Sequence, residues 1–227
     1  MIGLWASIPS SLTAEAAAAA GADYVVVDQQ HGAADTATLL SMLQAIEAGG
    51  AAPLVRVARN EPFEIGNALD LGAYGVIVPM VEDAAQAAAA VSACRYAPEG
   101  QRSFGALRGG GPEPALCLVM VETRAGLERV QEIAAVAGLD GIYVGPSDLA
   151  LTLGLQPTLR LEHAPVLEAL ERVRTVCAGA GLIAGLHCLT GEDAAEYADR
   201  FAMVTAGGDL HHLHGALASA LAAARRA

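Results

Sequence analysis

Short apolar runs alternate with longer alanine-rich runs along the 227 residues. The apolar runs read as strands over Ile2–Ile8, Ala22–Val27, Pro53–Val57, Tyr74–Val78, Ala115–Val121, Gly141–Val144, Leu182–Leu186 and Phe201–Thr205. The intervening stretches read as helices over Ser11–Ala20, Asp35–Ala48, Pro62–Leu71, Asp83–Cys94, Ala125–Ala135, Pro165–Ala180, Glu192–Arg200 and Asp209–Arg226. Strict alternation predicts a parallel sheet covered by helices. Eight repeats predict that the sheet closes into a (β/α)8 TIM barrel, because eight strands close around a filled interior. Such barrels take about 250 residues, so this one is compact. Glycines at 21, 49, 72, 138 and 181 stand where helices should stop. No stretch reads as a linker, so residues 1–227 are read as a single barrel domain. The irregular segment Ala97–Pro114 is either a mobile active-site loop or a plain connector.

Composition narrows the function classes. The net charge of −12 disfavours binding to a phosphate backbone, so no nucleic-acid partner is expected. No run of 18 or more apolar residues predicts a membrane span, and the N-terminus lacks the basic start of a signal peptide. The four cysteines, Cys94, Cys117, Cys177 and Cys188, form no CxxC pair and read as core residues in a reducing cytoplasm.

In a (β/α)8 barrel the chemistry collects where the strands end. Polar residues follow several of the apolar runs: Asp28-Gln29-Gln30-His31, Arg56, Glu122, Gly145-Pro146-Ser147-Asp148, His187 and Asp209. Two carboxylates on adjacent strands, Glu122 and Asp148, suit a hard divalent cation completed by waters and substrate oxygens. Taken singly, Glu122 could equally pair with an arginine, and Asp148 could cap the segment after Pro146. His31 offers either a general base near neutral pH or a ring bonded to a loop carbonyl. Arg56 ends a buried strand, where it either stabilises a developing oxyanion or makes a structural ion pair, for instance with Asp70. The backbone around Gly145, Ser147 and Asp148 offers N–H groups to an anion, although Gly-Pro-Ser-Asp is also ordinary turn chemistry. His211, His212 and His214 read as a solvated or interfacial helix start, with a metal site as the alternative. His187 either lines the pocket or packs.

In this order, the stretches GLW, DYVVVDQQHG, PLVRV, VIVPMVEDAAQA, RYAPEGQRSFG, LVMVETRAG and LDGIYVGPSDLA resemble the HpcH/HpaI aldolase family. The resemblance spans about Ile2–Leu149 and weakens beyond. It implies a metal-dependent class II aldolase that cleaves a 4-hydroxy-2-oxo acid to pyruvate plus an aldehyde, or runs the reverse addition. By motif, Glu122 and Asp148 match the metal carboxylates, with Mg2+, Mn2+ or Co2+ as the ion. His31 matches the histidine of proton transfer, and Asp70 an acidic residue linked to it. Arg56 matches the arginine that contacts the pyruvate oxygen. Gly145, Ser147, Asp148 and Trp5 join it as substrate-binding positions. The resemblance also implies a homo-oligomer, a hexamer or trimer of dimers, in which the C-terminal helix is exchanged between subunits.

Chemical logic agrees with this reading. A divalent ion can act as Lewis acid on the ketone, so no Schiff-base lysine is needed. The chain contains no lysine at all, which removes a class I aldolase. Three features depart from the family pattern: Gln29-Gln30 in place of Gly-Glu, Met120 in place of a polar residue, and a shortened stretch after Arg102. They leave the substrate open. Two other functions share the motifs. One is a different enolate-forming lyase, citrate lyase β-like or macrophomate synthase-like. The other is a non-catalytic barrel that binds a metal or keto acid.

Overall fold

A computed structural model describes residues 1–108, 114–158 and 160–226. Eight parallel strands form one closed barrel in chain order. They are β1 (Ile2–Ala6), β2 (Tyr24–Asp28), β3 (Ala52–Arg56), β4 (Gly75–Val78), β5 (Leu116–Val121), β6 (Gly141–Val144), β7 (Ile183–Leu186) and β8 (Met203–Gly208). All eight predicted strands are present, most displaced by one or two residues. β8 runs on to Gly208, and its register against β1 shifts between Gly3 and Trp5.

The described helices are α1 (Ser11–Ala19), α2 (Thr36–Ala48), α3 (Pro62–Asp70), α4 (Ala84–Cys94), α5 (Arg124–Glu128), α6 (Val130–Ala134), α7 (Pro146–Thr152), α8 (Ala164–Ala180), α9 (Gly191–Tyr197) and α10 (Asp209–Ala224). Two bear on the sequence expectations. The single helix predicted over Ala125–Ala135 is two short ones, because the backbone of Arg129 leaves the helical region at ψ +15°. Of the two readings left open after Gly145, an N–H-presenting start or an ordinary turn, the structure shows a helix start, α7, with Pro146 supplying a fixed φ near its first position.

Side-chain alternation builds two cores. On α2, Leu39, Met42, Leu43 and Ile46 recur at helical spacing and are fully buried against the outside of the barrel. Each such side chain contributes about 1.5–3 kcal/mol. Inside the barrel, Trp5, Tyr24, Val26, Leu54, Ile77, Leu118, Met120, Tyr143 and Met203 pack on one another. Room for the Tyr24 ring comes from Gly3, where a Cβ would lie 2.3 Å from it.

The period of two then places the chemistry. Tyr24 and Val26 point inward, so Asp28 does too; Leu54 sets Arg56; Leu118 and Met120 set Glu122. The strand ends therefore deliver their polar residues to one mouth.

Of the segment expected to be either an active-site loop or a connector, residues 109–113 lie outside the described residues. Its described residues follow α4 and precede β5, at the end of the barrel opposite the mouth. There the backbone N–H groups of Leu107 and Arg108 donate to the Asp70 carbonyl, and Arg108 pairs with Glu47 at 2.5 Å. The segment's described residues read as a connector, because a helix-to-strand link emerges where strands begin. No helix among the described residues is long and apolar enough to cross a membrane.

Candidate active site

Arg56 and Asp28 are register partners on β3 and β2. Both are buried. The Arg56 guanidinium donates from Nε to one Asp28 oxygen at 2.9 Å and from Nη2 to the other at 2.6 Å. The same carboxylate accepts the backbone N–H groups of Gln30 and His31 at 3.0 and 3.3 Å. Burial alone would raise the Asp28 pKa, but these four bonds outweigh it and hold the carboxyl below its usual range. Asp28 thus fixes two things at once, the arginine and the turn that carries His31. The arginine lies over the Trp5 ring, 5.1 Å from its centre. Its remaining Nη1 faces the Met120 sulfur at 4.0 Å.

Glu122 is 2% exposed at the end of β5. Its Oε1 accepts the Met80 backbone N–H at 2.7 Å. Met80 holds a left-handed backbone, φ 58°, which costs a non-glycine residue about 1–2 kcal/mol. That conformation aims its N–H at the carboxylate. Oε2 faces Gly145, where a Cβ would sit 2.5 Å away. Burial raises the Glu122 pKa; the nearby Asp148 raises it further, against the lowering effects of Met80 and Arg56.

Asp148 stands in the first turn of α7, beside Ser147, and both are half-buried. The Asp148 charge is close enough to act on Glu122. His31 is exposed at the mouth, where the Asp28 bond anchors its backbone. His187 lines the cleft shared by Trp5, Asp28, Arg56, His211 and His214. His212 turns away, its Nε2 against the Ala206 carbonyl at 2.7 Å.

The structure therefore gathers Trp5, His31, Arg56, Glu122, Gly145, Ser147 and Asp148 at one rim. It does not bring Asp70 there. Asp70 ends α3 at the end of the barrel opposite the mouth, where its carboxylate accepts from Arg102 at 2.8 Å. Within one chain Asp70 neither meets His31 nor pairs with Arg56; the partner of Arg56 is Asp28. In the sequence Asp28 stands with His31 at the end of the second strand, and a charge closing the apolar run YVVV is the signal of a buried partner. The Met80 N–H left no signal in side-chain chemistry.

Glu122, Asp148 and Gly145 fit a divalent ion: one carboxylate is buried without a cation in hydrogen-bonding contact, a second lies beside it, and the residue opposite lacks a Cβ. Among the described residues no group of three or more His, Cys, Asp or Glu is arranged to hold an ion, so the protein's share would be these two carboxylates.

A parallel eight-stranded barrel with a convergent polar rim is an enzyme scaffold, and the relatives identify the class as carbon–carbon lyase of the aldolase type. The chain is 42% identical to the hydroxypyruvate/pyruvate aldolase of Rhizorhabdus wittichii, covering 97% of this chain and 92% of that one. It is 36% identical to the 5-keto-4-deoxy-D-glucarate aldolase of Klebsiella pneumoniae, covering 92% and 86%. A solved HpcH/HpaI aldolase/citrate lyase family protein from Burkholderia cenocepacia superposes with a TM-score of 0.90 at 32% identity, over 99% of this chain and 94% of that one. The profile of the HpcH/HpaI aldolase/citrate lyase family matches residues 1–216, and the chain belongs to that family.

Proposed function

We propose that this chain is a metal-dependent class II aldolase that cleaves a 4-hydroxy-2-oxo acid to pyruvate, or a close 2-oxo acid, plus an aldehyde. The observation that carries the proposal is Glu122: a buried carboxylate whose pKa is raised by burial and by the nearby Asp148 charge, with Gly145 against its Oε2. Burying such a charge is costly unless a cation compensates. Glu122 and Asp148 would hold Mg2+, Mn2+ or Co2+, and the bound ion would supply Lewis acidity to the 2-oxo group.

The other roles belong to the chain itself. Arg56, oriented by Asp28, directs Nη1 at the oxygen where negative charge develops as the C3–C4 bond breaks. The N–H groups of Ser147 and Asp148, with Gly145 leaving space, take the carboxylate of the 2-oxo acid. Trp5 walls the pocket beneath Arg56. His31 accepts the proton of the 4-hydroxyl during cleavage and returns it during addition. Asp70 has no part in this chemistry within one chain. Residues 1–227 act as one catalytic domain.

The family relationship supports a homo-oligomer, a hexamer or trimer of dimers, in which α10 packs on a partner subunit. Leu210, Leu213, Leu217 and Leu221 on α10 are 45–56% exposed in the single chain. The partners expected are small molecules only. All four cysteines are free and buried, which suits a reducing cytoplasm.

The test is proton exchange at C3 of pyruvate, followed by NMR in D2O with metal-depleted protein. Exchange should appear when Mn2+, Mg2+ or Co2+ is added and vanish in Glu122→Gln. Metal-independent exchange, or full exchange in Glu122→Gln, would overturn the assignment.

A further inference from the structure

None of the roles proposed above uses His187, although it lines the cleft beside Arg56 and Trp5. Behind it a chain of hydroxyls runs through the barrel interior. The Tyr24 and Tyr143 hydroxyls lie 3.4 Å apart, Tyr143 donates to Thr205 Oγ1 at 3.4 Å, and Thr205 Oγ1 meets His187 Nδ1 at 3.1 Å. The Cys188 N–H also donates to Thr205 Oγ1, at 3.1 Å.

With Tyr143 as donor to Thr205, counting protons at Thr205 points to one tautomer of the histidine. A hydroxyl oxygen has two lone pairs and one proton. The Tyr143 O–H and the Cys188 N–H fill both lone pairs. The Thr205 proton is left to donate, and its acceptors are His187 Nδ1 at 3.1 Å and the more distant Cys188 carbonyl at 3.4 Å. A proton on Nδ1 would give Thr205 three donors for two lone pairs. Nδ1 is therefore an acceptor, and Nε2 carries the hydrogen. Burial, with Arg56 beside it, pushes the His187 pKa down to about 4, so the ring is neutral under ordinary assay conditions. Its edge-on contact with Trp5, 4.7 Å between ring centres, further fixes its plane. Among the described residues Nε2 has no hydrogen-bond partner.

We propose that His187 is a specificity-determining residue whose Nε2–H donates to an oxygen substituent of the substrate, so that hydroxylated aldehydes are preferred over hydrocarbon ones. This rests on the aldolase reading above. The physical reason is that a site built to hydrogen-bond a hydroxyl rejects the analogue lacking it far more strongly than an apolar pocket rejects an added hydroxyl. Thr205 is a positioning residue: it holds the ring in the tautomer that donates.

The test compares glycolaldehyde with propanal, nearly equal in size, as acceptors for pyruvate. The readout is the ratio of their kcat/KM values, which cancels any general loss of activity. His187→Leu should lower that ratio about tenfold, the worth of one hydrogen bond. His187→Gln, which keeps a donor, should recover part of it. Thr205→Val should lower it less than His187→Leu. An unchanged ratio in His187→Leu would overturn the proposal, as would equal losses for both aldehydes. Independently, 15N shifts of His187 should report a neutral ring protonated on Nε2 from pH 6 to pH 8, and a proton on Nδ1 would overturn it. Loss of metal-dependent pyruvate exchange in the unmodified protein would instead refute the aldolase reading, and the substrate preference with it.

Discussion

Arg56 and Asp28 face each other across one strand register, and the guanidinium meets both carboxylate oxygens in a fork at 2.9 and 2.6 Å. Such a pair adds little net stability by being present, because both charges had to leave water. Its value is orientation. Two of the three guanidinium nitrogens are committed to Asp28, so the third has one direction left to point.

Breaking this pair should be costly. Asp28→Asn leaves a buried arginine uncompensated and should lower stability by about 3–5 kcal/mol, measured by urea unfolding. Arg56→Lys replaces a fork with a point charge and should retain most of the fold while losing turnover. An Asp28→Asn protein as stable as the original would show that the fork is replaceable.

Metal affinity should depend on pH through Glu122. The ion needs the ionised carboxylate, so binding is present above the folded pKa and lost as pH falls through it. That pKa is raised above the usual 4.5, first by burial, so the loss should begin at higher pH than for an ordinary carboxylate. The sign for the metal-free fold is the reverse. Between 4.5 and the raised value the folded state binds more protons than the unfolded one, so stability should fall as pH rises through that window. Thermal melts in EDTA across pH, compared with Glu122→Gln, read this directly. The slope should flatten in the variant.

Gly145 should tolerate no side chain. A Cβ there lies 2.5 Å from Glu122 Oε2 and 2.9 Å from Met120 Cε. Gly145→Ala should therefore displace the carboxylate and weaken Mn2+ binding by about 10–100-fold, the usual effect of disturbing a ligand's support. Calorimetric titration with Mn2+ measures it. Circular dichroism should show the barrel intact.

The exposed leucines of α10 test the assembly. Leu213→Glu with Leu217→Glu should reduce the solution mass, measured by light scattering, while the far-ultraviolet spectrum stays the same. Unchanged mass would show that α10 does not hold the subunits together.

Much of this architecture was legible in the chain. Continuous apolar runs such as CLVMV and YVVV suit strands buried on both faces, and eight of them alternating with helices pointed to a closed barrel. Their ends put Asp28, Arg56 and Glu122 at the rim; that all three turn inward is seen from the interior cluster of the structure. Contacts between residues distant in the sequence were not legible. The choice of Asp28 over Asp70 as partner of Arg56 follows from strand register, which no local pattern encodes. The Met80 N–H depends on one backbone angle that a methionine seldom adopts. Thr205 read only as the end of a strand, because its significance lies in which hydroxyls and ring nitrogens surround it.

Asp209, at the root of α10, accepts the backbone N–H groups of Ser7 and Ile8 at 3.0 and 3.1 Å. Mechanically this makes α10 a lever with its fulcrum clamped to the end of β1. The clamp falls two residues past Trp5, whose ring lies under Arg56. The helix with the exposed leucines is thus tied at its root to the wall of the cleft, through Asp209 to the end of β1 and through His212 to β8.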